Sequence, residues 1–236
     1  DEVPGWLRRL YPATYYFLVK RVAAVWGLCF ELLDTAPGYR LAQPIRRAWN
    51  LIMSRRFIQR LKREPPDVVV ATHFFSADVF SACKRAGWLS APLVVAITDL
   101  HPHRFWLSAQ ADAYICDVEE TAREARQRGI MADRLHVLGI PISPAFHAPF
   151  DRREVRRLFQ LAPDRVTILV TSGGDTVGPF EAVVLALMSL ERALPGRLQL
   201  LVVCGQNARM VDRLRRRAQG CAMPMRVEGF IETMPQ

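Results

Sequence analysis

An alternation of short β-branched runs with helix-length segments, which starts at residue 67, constrains the fold more than any other feature of the sequence. The runs have the length and composition of buried strands, and the segments between them have the apolar spacing of helices. Strands that alternate with helices of this length predict parallel sheets with right-handed crossover connections. The predicted strands are residues 67–72, 92–98, 112–117, 134–139, 165–171, 198–205 and 225–230.

A proline-rich connector, "GIPISPAFHAPF" at residues 139–150, separates these runs into two sets. We therefore expect an α/β protein with two doubly wound, Rossmann-like domains, residues 1–145 and 146–236. The chain starts without a methionine and stops just after a predicted strand, so we expect both domains to be truncated.

The helix over residues 118–129 has recognisable start and stop signals. Asp117 is predicted to cap it, with Glu120 completing a capping box. Gly129 is predicted to end it, because glycine accepts the left-handed backbone that commonly follows a helix.

The N-terminal region is basic and aromatic, and residues 6–63 are predicted to be helical up to Pro65 and Pro66. Residues 1–66 hold twelve Lys or Arg and five Asp or Glu, which is +7 of the net charge of +9. Such an asymmetry predicts a polyanionic partner, either an anionic membrane surface or nucleic acid. The membrane is favoured, because the sequence contains no recognisable nucleic-acid-binding motif.

On the membrane hypothesis, cations meet anionic lipid headgroups while aromatic rings lie at the interface. The alternative is that the arginines form a solvated face and the aromatic residues belong to the core. No uncharged stretch approaches the roughly 20 residues that a spanning helix needs, so a peripheral attachment is expected. The predicted membrane residues are Trp6, Tyr11, Trp26, Arg55 and Arg56.

The five cysteines are scattered at positions 29, 83, 116, 204 and 221, without a C-x-x-C pair. This pattern favours reduced thiols in a cytoplasmic protein over a disulfide framework. The cysteines and the five histidines do not have zinc-ligand spacing, so no metal is expected.

A glycine-rich loop interrupts the predicted strand in "LVTSGGDTVGPF", residues 169–180. Loops at the carboxyl ends of parallel strands are where α/β proteins bind ligands, and the N-terminus of the next helix attracts phosphate. A tight turn that binds nothing is the alternative. The spacing matches neither the Walker P-loop nor the G-x-G-x-x-G dinucleotide loop. Asp175, inside the loop, would repel a bare phosphate and better suits a sugar hydroxyl, a metal or a helix cap.

Several segments in fixed order resemble one family. "TDLHPHRFW", "LGIPISPAF", "LVTSGGDTVGPFEAV", "LLVVCGQNARMVDRL" and "MRVEGFIETM" are similar to the monogalactosyldiacylglycerol synthases and processive diacylglycerol glucosyltransferases, relatives of the peptidoglycan N-acetylglucosaminyl transferase. The resemblance implies a GT-B fold. It also implies that the N-terminal domain holds the lipid acceptor and the C-terminal domain holds the nucleotide-sugar donor.

Carried over to this sequence, the resemblance implies a set of site residues. The "TD…H..W" signature corresponds to Thr98, Asp99, His103 and Trp106, which places Asp99 and His103 in the catalytic neighbourhood and Trp106 on the acceptor side. Cys204 lacks a neighbouring base and is expected to be an inert thiol. The implied donor-binding residues are Ser172, Gly173, Gly174, Gly178, Cys204, Gly205, Asn207, Phe230, Ile231 and Met234.

The implied function is inverting transfer of a hexose, galactose or glucose, from a UDP-sugar to diacylglycerol. The enzyme would need no cofactor and would act as a cytoplasmic protein peripheral to the inner face of the membrane. Nothing before Asp67 resembles the family's first strand and its glycine-rich loop. The resemblance therefore implies that the first domain lacks its first strand and that the fragment itself is inactive. Two alternatives stay open: a transferase for another lipid-linked acceptor, and a catalytically silent membrane-binding module.

Overall fold

Two parallel β-sheets organise the chain, one in each of two units. The computed structural model describes residues 23–108, 110–174, 176 and 178–232. The units are Asp1–Pro141 and Ile142–Gln236, so the division falls four residues before the predicted domain boundary. The mixed α/β architecture with parallel sheets that the sequence predicts is confirmed.

Among the described residues, three helices precede the first sheet: α1 (Ala23–Asp34), α2 (Ala36–Met53) and α3 (Arg55–Arg63). The predicted single helical region is broken between α1 and α2 because Thr35 caps α2, its side chain accepting a hydrogen bond from the Gly38 amide. Helix α3 turns Ile58 and Leu61 into the core. Within the part of the chain that is described, no helix has both the length and the hydropathy needed to span a membrane.

The first sheet has four parallel strands in chain order: β1 (Val69–Ala71), β2 (Leu93–Ala96), β3 (Ala113–Cys116) and β4 (Leu135–Val137). Two further helices, α4 (Phe74–Arg85) and α5 (Glu119–Gln127), connect the strands of this sheet. Aliphatic side chains, many of them β-branched, pack in the core against this sheet. Burial of each such side chain stabilises the fold by about 1.5–3 kcal/mol. The core centre includes Val79, Leu93, Val95, Ile97, Trp106 and Tyr114.

The predicted cap of α5 is wrong. Val118 occupies the N-cap position in an extended conformation, without a side-chain hydrogen bond to the helix. The Asp117 carboxylate instead accepts a hydrogen bond from the adjacent Val118 amide at 2.9 Å. The predicted stop is confirmed, since Gly129 follows the helix with a φ of +99°.

The second sheet has three parallel strands, again in chain order: β5 (Val166–Thr171), β6 (Leu198–Val203) and β7 (Met225–Glu228). Strand β6 lies between the other two and is buried along its whole length. The helices of this unit are α6 (Arg152–Leu158), α7 (Phe180–Ser189) and α8 (Ala208–Ala218). Because all three strands are parallel, the loops after β5, β6 and β7 lie at one edge of the sheet.

Candidate functional site

The glycine loop begins at the carboxyl end of β5, and its described residues are 172–174, 176 and 178. Gly173 and Gly178 have φ values of +67° and +84°, which side chains rarely adopt. Gly173 and Gly174 are exposed, and a Cβ atom on either would meet nothing within 4 Å. The Ser172 hydroxyl is buried and has no hydrogen-bond partner within the described part of the chain. The loop therefore presents open backbone beside an unsatisfied hydroxyl.

The loop after β6 packs directly against the glycine loop. Gly205, with a φ of +56°, lies so close that a Cβ atom there would be 2.4 Å from the Gly173 carbonyl oxygen and 2.6 Å from that of Gly174. The Gln206 amide donates a hydrogen bond to the Gly174 carbonyl at 2.9 Å. The glycine at position 205 is therefore required by space as well as by backbone conformation.

Asn207 connects the same two loops through its side chain. Its Oδ1 caps α8 by accepting a hydrogen bond from the Met210 amide at 3.1 Å, while its Nδ2 donates to the Thr176 hydroxyl. Asn207 thus contacts the glycine loop through Thr176, a residue that is absent from the predicted site. Thr176 has a positive φ, a backbone conformation that no local sequence pattern predicted.

The third loop, after β7, reaches the same edge. A Cβ atom at Gly229 would lie 3.5 Å from the Gly205 carbonyl oxygen, so the backbones of these two loops are close. Phe230 follows and is 65 % exposed, whereas Ile231 is half-buried. Cys204 is fully buried, and burial raises the pKa of its thiol above the ordinary value. Met234 lies outside the described residues.

Helix α7 starts immediately after the glycine loop. Pro179 is its N-cap residue and supplies no side-chain hydrogen bond, so the first-turn amides of α7 are left without a side-chain cap. Glu181 places a carboxylate in that turn, but Arg213 and Arg217 lie 2.7 and 3.4 Å from it and offset its charge. The first turn of α7 therefore keeps the partial positive charge of a helix N-terminus.

On the first sheet, Asp99 lies in the loop that follows β2. It is exposed, and its Oδ2 accepts a hydrogen bond from the Trp106 indole at 2.6 Å. Trp106 is 1 % exposed and packs edge-on against Phe74. The buried indole fixes one oxygen of Asp99, and no hydrogen bond within the described residues engages the other.

His103 is enclosed, and both of its ring nitrogens are engaged. Nδ1 accepts a hydrogen bond from the Phe105 amide at 3.1 Å, so Nε2 carries the proton and donates to the Phe30 carbonyl at 3.0 Å. The ring is 5 % exposed and lies between the rings of Phe30 and Phe105. Burial lowers the pKa of His103, against the opposing effects of the Phe30 carbonyl and Asp34.

Asp34, at the end of α1, fastens the loop that carries these residues. Its carboxylate accepts hydrogen bonds from the Arg104 amide at 2.7 Å and from the Arg128 guanidinium at 2.6 Å. Burial acts to raise the pKa of this carboxyl, but the bonds from Arg128 and Arg104 bring it below its ordinary value. The partners lie 70 and 94 positions away in the sequence, so no local signal predicted this contact.

The predicted membrane residues have different placements. Arg55 and Arg56 are exposed at the start of α3. Trp106 lies in the core, so its predicted contact with the acceptor is not available in this conformation. Trp6 and Tyr11, together with the side chain of Trp26, lie outside the described residues.

Sequence reasoning missed an exposed apolar stripe on α2: Leu41, Ile45, Trp49 and Ile52. The spacing of four, four and three residues is visible in the sequence and places them on one helix face. Such a pattern ordinarily predicts a core-facing stripe. The structure turns the opposite face inward, where Arg46 and Asn50 donate hydrogen bonds to Asp78 at 3.0 and 2.7 Å.

Solved structures with a similar fold include bound complexes. HepE from Anabaena, in a crystal structure with UDP, matches with a TM-score of 0.54 at 14 % identity over 76 % of this chain and 52 % of that one. MnaA from S. aureus, also with UDP, matches with a TM-score of 0.50 at 14 % identity over 79 % and 52 %. At such identities these likenesses concern the fold, and they confirm the expected GT-B architecture.

Plant enzymes are similar along the whole chain. A probable chloroplastic monogalactosyldiacylglycerol synthase of Glycine max is 27 % identical over all of this chain and 44 % of its own length. Monogalactosyldiacylglycerol synthase 1 of Arabidopsis thaliana matches at the same identity and coverage. The chain thus spans about half the length of the curated relatives it matches.

The sequence profile of one family matches the first unit. It is the monogalactosyldiacylglycerol (MGDG) synthase profile, and it covers residues 1–142, which is more than half of the chain. The predicted resemblance is confirmed, and the chain belongs to the MGDG synthase family.

Proposed function

We propose that the protein is a glycosyltransferase that moves a hexose, galactose or glucose, from a UDP-sugar to diacylglycerol at a membrane surface. The observation that carries this proposal is the glycine loop at the carboxyl edge of the second sheet, in a chain of the MGDG synthase family. The names of the relatives support diacylglycerol as the acceptor. The chemistry of the loop and the UDP in the structures of two neighbours support a UDP-sugar as the donor.

The loops of the second unit suit a nucleoside diphosphate. Open backbone at Gly173 and Gly174 lets a phosphate approach the amides, and the Ser172 hydroxyl supplies a further donor. The start of α7 adds the positive end of a helix dipole. The exposed Phe230 ring provides a flat apolar surface on which a uracil base could stack.

The first unit suits acceptance of a proton from an attacking hydroxyl. Asp99 is oriented by the Trp106 indole through one oxygen and keeps the other for an incoming hydroxyl. His103 is a poorer base because its Nδ1 lone pair is taken by the Phe105 amide and its Nε2 already carries the proton. We therefore assign proton acceptance to Asp99 and a positioning role to His103.

The proposed reaction is a single displacement with inversion, as the family resemblance implies. The acceptor hydroxyl oxygen forms a bond to the anomeric carbon, and its proton passes to the Asp99 carboxylate. The bond from that carbon to the diphosphate oxygen breaks, and UDP leaves with the electron pair. The glycine loop and the start of α7 stabilise the charge that develops on the diphosphate.

The apolar stripe on α2 is the proposed membrane contact. Leu41 is 81 % exposed and Ile45 76 %, values that are unusual for large aliphatic side chains on a stable helix. A surface helix that faces water ordinarily turns its apolar side to the core and its polar side outward. Helix α2 has the reverse arrangement, since its polar side contacts Asp78 and its apolar side is exposed. An outward apolar stripe beside cations is the pattern of a helix that lies in a lipid interface.

The charge around the stripe indicates anionic lipid. Residues 36–63 contain eight Arg or Lys and no Asp or Glu. Each cation near an anionic leaflet contributes about 1 kcal/mol to binding. Arg55 and Arg56 follow the last residue of the stripe, Ile52, by one turn of helix and are exposed.

The reaction is tested with labelled donors. The protein is mixed with vesicles that contain diacylglycerol, UDP-galactose and UDP-glucose are offered separately, and the lipids are separated by thin-layer chromatography. A labelled monohexosyl lipid supports the proposal and identifies the sugar. Bound UDP without product from either donor would refute diacylglycerol as the acceptor, and no UDP binding at all would refute the donor assignment.

The membrane contact is tested by charge reversal with a matched control. Arg55→Glu with Arg56→Glu changes the first two residues of α3, and Arg152→Glu with Arg153→Glu makes the same change at the start of α6 in the other unit. We expect only the first pair to weaken sedimentation with anionic vesicles. Ile45→Gln should weaken binding to both anionic and neutral vesicles. Equal losses for the two charge-reversed pairs would contradict the assignment to α2 and α3.

A further inference from the structure

We infer that Thr176 and Asn207 form a positioning pair that holds the glycine loop in the conformation that binds the donor diphosphate. This inference rests on the proposed UDP-sugar donor and goes beyond it. It assigns to Asn207 an action through another residue, and it adds Thr176 to the site. Neither side chain needs to contact the ligand for the pair to set its affinity.

The backbone at Thr176 is strained. Its φ is +42°, in the left-handed region, where a β-branched residue is an outlier. Among the described residues other than glycine, only Gln160 also has a positive φ. Gln160 follows the end of α6, a position where a left-handed residue is common. Strain of this kind persists where surrounding contacts fix it, and it concentrates at ligand-binding segments.

The contacts that fix Thr176 come from the neighbouring strand end. Thr176 is 8 % exposed, and its hydroxyl accepts a hydrogen bond from Asn207 Nδ2. The Oδ1 atom of Asn207 caps α8, which orients the side chain. The pair therefore connects the glycine loop to the start of this helix. The Gln206 amide holds the Gly174 carbonyl beside it at 2.9 Å.

Loss of the hydrogen bond should release the loop. Without it, Thr176 loses the one described side-chain contact that offsets its left-handed strain, and we expect the loop to redistribute to other conformations. The apparent affinity for a ligand equals the intrinsic affinity multiplied by the fraction of molecules in the binding-competent conformation, so it falls as that fraction falls. For strain of the usual size, the affinity for UDP should fall about 5- to 30-fold.

The test compares substitutions that separate strain, hydrogen bond and helix cap, with UDP affinity measured by calorimetry and stability by thermal unfolding. Thr176→Val keeps the strain and lacks the bond, so it should weaken UDP binding. Thr176→Gly lacks the bond but adopts a positive φ freely, so it should bind UDP more tightly than Thr176→Val. Asn207→Ser keeps a good cap for α8 but loses the amide donor, and Asn207→Ala loses both.

The expected result is that Asn207→Ser weakens UDP binding in the Thr176 protein and has little further effect in Thr176→Gly. Equal or greater weakening by Thr176→Gly than by Thr176→Val would overturn the inference, because it would mean that the hydroxyl touches the ligand directly. Affinity losses that follow stability across all variants would also overturn it. Absence of UDP binding by the unmodified protein would refute the proposed donor instead, and the stability order of the Gly and Val variants would still decide whether Thr176 is strained.

Discussion

The contact between Gly205 and the glycine loop leads to a quantitative prediction. In Gly205→Ala, the new methyl group would meet two carbonyl oxygens at 2.4 and 2.6 Å, distances that force the backbone to move. A left-handed alanine costs about 1–2 kcal/mol, and overpacking at a rigid contact costs about 1–3 kcal/mol more. We expect the second unit to lose about 2–5 kcal/mol of unfolding free energy, with UDP binding lost as the glycine loop shifts.

Gly196→Ala is the matched control. Gly196 belongs to the same unit and has a φ of +71°, but nothing lies within 4 Å of a Cβ atom there. It should cost only the conformational term, about 1–2 kcal/mol, and leave UDP affinity unchanged. Urea unfolding and UDP calorimetry on both variants measure the difference. Similar losses of stability in the two variants, or UDP binding retained by Gly205→Ala, would refute the role given to this contact.

Gly174→Asp should abolish UDP binding by repelling the diphosphate, whereas Gly174→Ala, whose methyl group has open space, should weaken it far less in the same titration. Asp99→Asn should lower kcat at least 100-fold with little change in the KM for the donor, and an unchanged kcat would exclude Asp99 as proton acceptor. Burial lowers the pKa of His103 below the ordinary value of 6.5. As the pH falls below 6.5, this histidine therefore binds a proton more readily in the unfolded chain than in the folded one, and the free energy of unfolding declines. His103→Gln should show a shallower decline between pH 7 and 5 in urea unfolding, and an identical slope would contradict the structural assignment.

The sequence predicted the strands well because burial leaves a strong local signal. Val95 and Val202 lie in short runs of valine and other aliphatic residues, a composition that is typical of buried strands. The predicted end of α5 at Gly129 is also observed. The cap at Asp117 failed for a physical reason. A capping side chain must point back into the helix, and Asp117 bonds to the adjacent Val118 amide instead.

The site was predictable only in part, since its chemistry depends on contacts between distant segments. The position of the glycine loop was visible as a strand-end pattern. The pairing of Thr176 with Asn207 joins residues 31 positions apart, and the fastening of Arg104 by Asp34 spans 70. His103 illustrates the limit most clearly: the resemblance implied a place in the catalytic neighbourhood, but both ring nitrogens are engaged by backbone groups that no local pattern identifies.

Helix α2, which carries the apolar stripe, and the preceding helix α1 both hold the loop around Asp99 in place. Asp34 at the end of α1 holds Arg104, and Arg46 of α2 stacks over the Phe105 ring at 4.3 Å. Substitutions on the inner face of α2 would therefore disturb the proposed membrane contact and the loop around Asp99 together. Ile45 is 76 % exposed, so substitutions there should affect the proposed membrane contact without disturbing the loop. If docking alone limits access to diacylglycerol, such variants should keep full activity on a dispersed acceptor and lose it on vesicles.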